Sequence, residues 1–141
     1  MNGPEPTFLT VLEVLSLHDD QLRLFGGMAG IRDMGALESA VAMPAASFGG
    51  AFLHEDIFEM AAAYAFHIAE NQPFLDGNKR TGLNAALVFL GINGWDVDDP
   101  EAKLYEAMMS IAARALDKRG LGLLLRSLAR PLADAAGNDE T

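Results

Sequence analysis

Apolar residues recur along this chain at intervals of three and four, with breaks rich in glycine and proline between the periodic stretches, a pattern that predicts helices rather than a sheet. The first stripe is Val11, Val14, Leu15, Leu22 and Phe25, with a capping-box pattern at Thr10 and Glu13 ahead of it and Gly26-Gly27 at its end. His18 lies close to that stripe and reads as a packed, hydrogen-bonded histidine rather than a catalytic one. Residues 30–33 make a turn, and Asp33 can cap a short helix over residues 34–43 that Pro44 ends. Residues 44–55 lack helical periodicity and carry Gly49-Gly50, which predicts a flexible loop or a small hairpin.

The two most apolar segments follow. Asp56 can cap a helix through Asn71, with Ile57, Met60, Ala61, Tyr64 and Ile68 at helical spacing and alanines that allow close packing. His67 shares a face with Tyr64 and reads as structural. A second helix over residues 78–93 carries Leu83, Leu87, Val88, Phe89 and Leu90, apolar nearly all round, and so belongs inside a bundle; Gly94 is a suitable stop. Residues 95–97 form a brief connector, Asp98 or Asp99 caps the next helix, and Pro100 fits its first turn. That helix, with Leu104, Met108, Ile111 and Leu116, fades before Gly120, and a last one over residues 121–130 is closed by Pro131. Residues 1–6 read as a flexible arm and 132–141 as a disordered tail, which leaves one domain over residues 7–131.

Composition narrows the class. The 141 residues suffice for one real core, and no uninterrupted apolar run approaches a membrane span. The net charge of −10, from 20 acidic and 10 basic residues, argues against nonspecific binding to DNA or RNA; it serves solubility or a basic partner. With no cysteine, disulfides and thiolate metal sites are ruled out, which suits a reducing cytoplasm. The sequence contains neither a nucleotide P-loop, Gly-x-x-x-x-Gly-Lys-Ser/Thr, nor a Gly-x-Ser-x-Gly elbow. His54-Glu55-Asp56 lacks the second histidine of a zinc helix and reads as solvated.

Candidate chemistry concentrates between the two central helices, where residues 71–81 read Asn-Gln-Pro-Phe-Leu-Asp-Gly-Asn-Lys-Arg-Thr. Pro73 removes a backbone donor and pushes Gln72 out of the helical region, so the first helix must stop there. Gly77 allows close backbone approach, and Asp76 or Asn78 can cap the next helix, leaving free N–H groups beside Lys79 and Arg80. Backbone donors, a helix N-terminus and two cations make an anion seat suited to a polyphosphate, against which Asp76 can hold magnesium.

Residues 72–80 resemble the active-site loop of the Fic/Doc superfamily, His-Pro-Phe-x-Asp/Glu-Gly/Ala-Asn-Gly/Lys-Arg. Lys79, where Fic proteins carry a second glycine, resembles the death-on-curing (Doc) branch. So do Leu17-His18, Gly26-Gly27, Gly30-Ile31-Arg32-Asp33, Leu37-Glu38-Ser39-Ala40 and Ala86-Leu87-Val88-Phe89-Leu90, and the likeness spans roughly residues 8–130. It implies an all-α helical bundle around a central helix-loop-helix, with residues 44–55 as a flap that holds a target polypeptide as an added strand. Phe48 and Phe52 then either meet the substrate or fold back onto the core. The resemblance assigns catalysis to Gln72 (the position of the family's histidine), Asp76, Lys79 and Arg80. It assigns ATP binding to Phe74, Gly77, Asn78, Lys79 and Arg80, and Mg2+ to Asp76. Fic relatives transfer AMP, whereas Doc relatives bind ATP reversed and transfer a phosphate to a threonine of elongation factor Tu; Lys79 favours the second. The inhibitory Ser/Thr-x-x-x-Glu-Gly/Asn motif of Fic relatives is absent, so the resemblance implies inhibition by a separate antitoxin of the prevent-host-death type.

One position departs from the pattern. The motif histidine, which accepts the proton of the attacking hydroxyl, is Gln72 here, and an amide cannot take that proton near neutral pH. The chain as written is therefore expected to be inactive or nearly so. It reads either as a Doc-like toxin crippled by an inactivating change, or as a natural non-catalytic module that binds nucleotide or antitoxin.

Overall fold

The computed structural model describes residues 5–132; the arm residues 1–4 and the tail residues 133–141 lie outside them. Six helices follow in order, α1 (Val11–Phe25), α2 (Met34–Ala42), α3 (Ile57–Asn71), α4 (Asn78–Ile92), α5 (Lys103–Ala112) and α6 (Lys118–Leu128). Two small antiparallel strand pairs join them, β1 (Ser47–Phe48) with β2 (Ala51–Phe52), and β3 (Trp95–Val97) with β4 (Ala129–Pro131). The architecture is all-α, as expected, and the segment before α3 forms the hairpin rather than an open loop. None of the described helices is long and apolar enough to cross a membrane.

The sequence explains most of these ends. Thr10 accepts from the Glu13 amide and the Glu13 carboxylate accepts from the Thr10 amide, a complete capping box; Asp33 and Asp56 cap α2 and α3 through the backbone N–H groups of Ala36, Phe58 and Glu59. At the centre, Ala61, Ala62, Ala63 and Ala65 of α3 are fully buried, and their small side chains let α4 approach closely. Phe89 is buried between the rings of Phe8 and Tyr64, an environment worth roughly 1.5–3 kcal/mol of burial for a side chain of its size. The Leu9 amide donates to the Tyr64 hydroxyl at 2.7 Å, and burial pushes that phenol up to about 12.

Four expectations need correction. Residues 95–97 are not a mere connector, because the chain after α6 extends and pairs with them, Trp95 opposite Pro131. That pairing ends α6 at Leu128, while Asp117, accepting from the Gly120 amide at 2.7 Å, starts it at Lys118 rather than at residue 121. Of the two acids expected before α5, Asp99 takes its first amides, those of Lys103 and Leu104 at 2.9 Å each, but from across a turn, with Ala102 at the cap position; Pro100 thus precedes the helix, and Leu116 lies beyond its end at Ala112. His54 is buried rather than solvated, since the Leu53 amide bonds the Ala46 carbonyl across the hairpin base and the next residue turns inward.

His54 and His67 share a basic cluster with Lys118, whose ammonium donates to His67 Nε2 at 3.1 Å; Glu59 is its acidic neighbour. Burial first, then Lys118 and His54, push the His67 imidazole down to about 4. Its folded value lies below the unfolded one near 6.5, so its contribution is complete above pH ~6.5 and is lost as pH falls toward ~4. Discounted for partial exposure, the expected loss between pH 7 and 4.5 is about 1–2 kcal/mol by urea unfolding. The His67→Gln protein should lose less over the same interval; an equal loss in both proteins would refute the assignment.

Candidate functional site

The site is built where α3 stops. Pro73 bars the helical conformation for Gln72, which turns left-handed (φ 46°, ψ 58°) while its amide still donates to the Ile68 carbonyl at 3.2 Å. That backbone costs a non-glycine residue about 1–2 kcal/mol, so neighbouring bonds must hold it. Arg32 supplies two of them, Nε to the Gln72 carbonyl at 2.6 Å and a terminal nitrogen to the Asn71 carbonyl at 2.7 Å.

Residues 30–33 run antiparallel to residues 73–75. The amides of Arg32 and Asp33 both donate to the Pro73 carbonyl, and the Leu75 amide donates to the Gly30 carbonyl at 3.0 Å. One residue further on, Asp76 takes the Met28 amide on Oδ2 at 3.1 Å and the Gly77 amide on Oδ1 at 2.9 Å. Gly27 makes this approach possible: at φ 120°, a Cβ there would lie 2.9 Å from the Asp76 carboxylate. From behind, the His18 ring stacks on Phe74 at 3.7 Å and its Nε2 donates to the Asp76 carbonyl at 2.8 Å. A carbonyl can only accept, so the proton sits on Nε2. His18 is thus packed and hydrogen-bonded, and its partner is the site loop itself.

Neither Asp76 nor Asn78 caps α4. Gly77 occupies the cap position in a left-handed conformation with no side-chain bond, because both candidates are committed elsewhere: Asp76 as above, and Asn78 to the amide and carbonyl of Phe74 at 3.0 Å each. The first intrahelical bond is Thr81 N–H to the Gly77 carbonyl, so the amides of residues 78–80 precede the helix ladder. Lys79 and Arg80 extend from the same turn. The Arg80 guanidinium lies over the rings of Phe25 at 4.3 Å and Tyr105 at 5.6 Å, which orients its charge at low entropic cost.

These groups surround an open cavity of about 450 Å³ lined by Gln72, Leu75, Asp76, Gly77, Asn78, Lys79 and Arg80, and closed on one side by Ala69, Tyr105 and Met109. Of the residues expected at a site, only Phe74 is not at its wall: it is 1% exposed and lies behind the loop. His67 also stays away, facing Lys118. Arg32, Tyr105 and Met109 carried no legible role in the sequence. Arg32 belongs to the Gly30-Ile31-Arg32-Asp33 stretch, but its grip on α3 is visible only once residues 32 and 72 are brought together.

The arrangement presents unsatisfied amides, two cations and one carboxylate to a single volume. Among the described residues no three His, Asp or Glu side chains cluster as a metal cage. Asp76 nonetheless lines the cavity with one amide bond on each carboxylate oxygen, which leaves each a further lone pair, and magnesium arriving with phosphates can be held by a single carboxylate. Both groups fit.

The Fic/DOC family profile matches residues 8–90. The chain is similar to Toxin Doc of Mycolicibacterium smegmatis, 37% identical over 123 residues that cover 83% of this chain and 86% of the relative. It is also similar to Protein kinase doc of Escherichia phage P1, 39% identical over 90 residues, 63% of this chain and 71% of the relative. With a helical loop-centred site, a matching family profile and Doc proteins as relatives on either side, the chain belongs to the Fic/Doc family, on its Doc branch.

Proposed function

We propose that this chain is a Doc-like toxin scaffold for ATP-dependent transfer of a phosphate to a protein hydroxyl, held inactive or nearly so by Gln72. The observation that carries the reading is the convergence of Asp76, the uncapped start of α4, Lys79 and Arg80 on the cavity that Gln72 also lines. Magnesium–ATP bound there supplies the transferable phosphoryl group. The amides of residues 78–80 with Lys79 and Arg80 neutralise phosphate oxygens, and Asp76 holds the metal. Gln72 can donate or accept a hydrogen bond with the incoming hydroxyl but cannot remove its proton. Lys79 favours phosphate over AMP transfer, and a hydroxyl of a translation factor such as elongation factor Tu is the proposed acceptor, in the cytoplasm.

The partner proposed for this toxin is an antitoxin of the prevent-host-death type. An apolar groove of about 370 Å³, lined by Leu24, Phe25, Leu83, Leu87 and Tyr105, adjoins the cavity through Arg80 and offers an amphipathic helix a seat. A second reading, a non-catalytic module binding nucleotide or antitoxin, is favoured by Gln72 alone.

Label transfer from γ- or α-labelled ATP by the Gln72→His protein decides between them. Label from the γ position alone supports phosphate transfer, and label from neither position supports the module. Calorimetry tests the seat itself: Lys79→Ala and Arg80→Ala should each weaken magnesium–ATP binding by about 10-fold, the effect of losing a charge-assisted contact. Unchanged affinity in both variants would remove the phosphate assignment.

A further inference from the structure

We propose that Arg32 is a positioning residue for position 72, acting as a clamp that fixes the left-handed backbone from which that side chain enters the cavity; this rests on the function proposed above. The last carbonyls of a helix have no partner within it and form its negative end. A planar guanidinium can serve two of them at once, and Arg32 does so at Asn71 and Gln72 (2.7 and 2.6 Å). Its own amide meanwhile bonds the Pro73 carbonyl at 2.7 Å, so one residue grips three successive carbonyls across the bend. The bend itself needs holding, because Gln72 is one of three described non-glycine residues at positive φ, and the other two, Ala102 and Arg114, are not among the residues lining the cavity. Arg32 is exposed, and its side chain makes its hydrogen bonds at this one place. Arg32 is itself not among the residues lining the cavity, so its contribution runs through the direction of residue 72.

The test has two arms. In the chain as it stands, Arg32→Ala should speed amide hydrogen exchange at Gln72, whose N–H bonds Ile68, by about 10-fold or more, while the amides of Ala62 and Ala63 stay as they were. In the Gln72→His background, Arg32→Ala should lower kcat by about 10- to 100-fold with KM for magnesium–ATP within about twofold, the signature of a misaimed group. Arg32→Lys, which cannot bridge two carbonyls as a fork, should recover only part. Arg32→Met keeps the stem without donors and should recover nothing. Unchanged exchange at Gln72, or full kcat in Arg32→Met, would overturn the clamp. If the Gln72→His protein with Arg32 intact transfers nothing, the proposed function fails, and the exchange arm still decides the clamp.

Discussion

Placing histidine at position 72 is expected to raise transfer from labelled ATP by about 10²–10⁴-fold over the chain as written, the usual worth of a positioned general base. The proposed function assigns the rest of the step to residues that are held together: Asp76 is fixed by two amides, Asn78 ties the loop through both polar groups of Phe74, and Lys79 and Arg80 line the same cavity. An imidazole grafted onto the Gln72 backbone inherits its left-handed geometry, so the substitution changes chemistry without moving the loop. The rate should rise with pH as the imidazole loses its proton. Gln72→Asn, another amide, should stay at the starting level. A Gln72→His protein that binds magnesium–ATP yet shows no increase would mean that the loop carries no transfer chemistry.

The second large effect concerns the helix pair that carries the loop. Gly82 sits in the second turn of α4, where a Cβ would lie 2.8 Å from the Ala65 carbonyl oxygen and 3.3 Å from its Cα. Helix propensity alone favours Gly82→Ala by about 0.5–1 kcal/mol. The clash is with backbone, which no rotamer change relieves, and overpacking of this kind costs about 1–3 kcal/mol or more. The clash wins, and a net loss of about 2 kcal/mol is expected in urea unfolding, with weaker nucleotide binding because α3 and α4 are pushed apart where they frame the cavity. Gly91, in the same helix with open space around it, is the control: Gly91→Ala should stabilise by about 0.5–1 kcal/mol. Two glycine-to-alanine changes nine positions apart should thus have opposite signs, and the same sign in both would refute the packing account.

Signals in the sequence hold wherever they act locally. Thr10 with Glu13, Asp33 and Asp56 cap the helices expected of them, and of the apolar residues expected to bury α4 all round, Phe89 and Leu90 enter the core while Leu83, Leu87 and Val88 stay half-buried. The errors lie where distant residues compete. Asp76 and Asn78 look like caps until residues 28 and 74 claim them, and the last helix stops where a strand from residue 95 onward captures the chain. The same holds for the site. Its cations and carboxylate were legible as a motif, whereas the grip of Arg32 on α3 and the stacking of His18 behind Phe74 join residues some 40 and 56 positions apart, beyond the reach of any spacing rule.

Thr7 and Asn93 exchange a reciprocal pair of bonds, and the Leu132 amide donates to the Gly94 carbonyl at 2.8 Å, so both outgoing strings of the described chain are moored at one pole of α4. The helix has 15 residues. At 1.5 Å each, that pole stands about 20 Å from the cavity at the start of the helix. A fluorophore, affinity handle or solid support grafted at residue 7 or 132 therefore leaves the cavity unobstructed, and a short bridging peptide between them would yield a permuted protein with that cavity untouched.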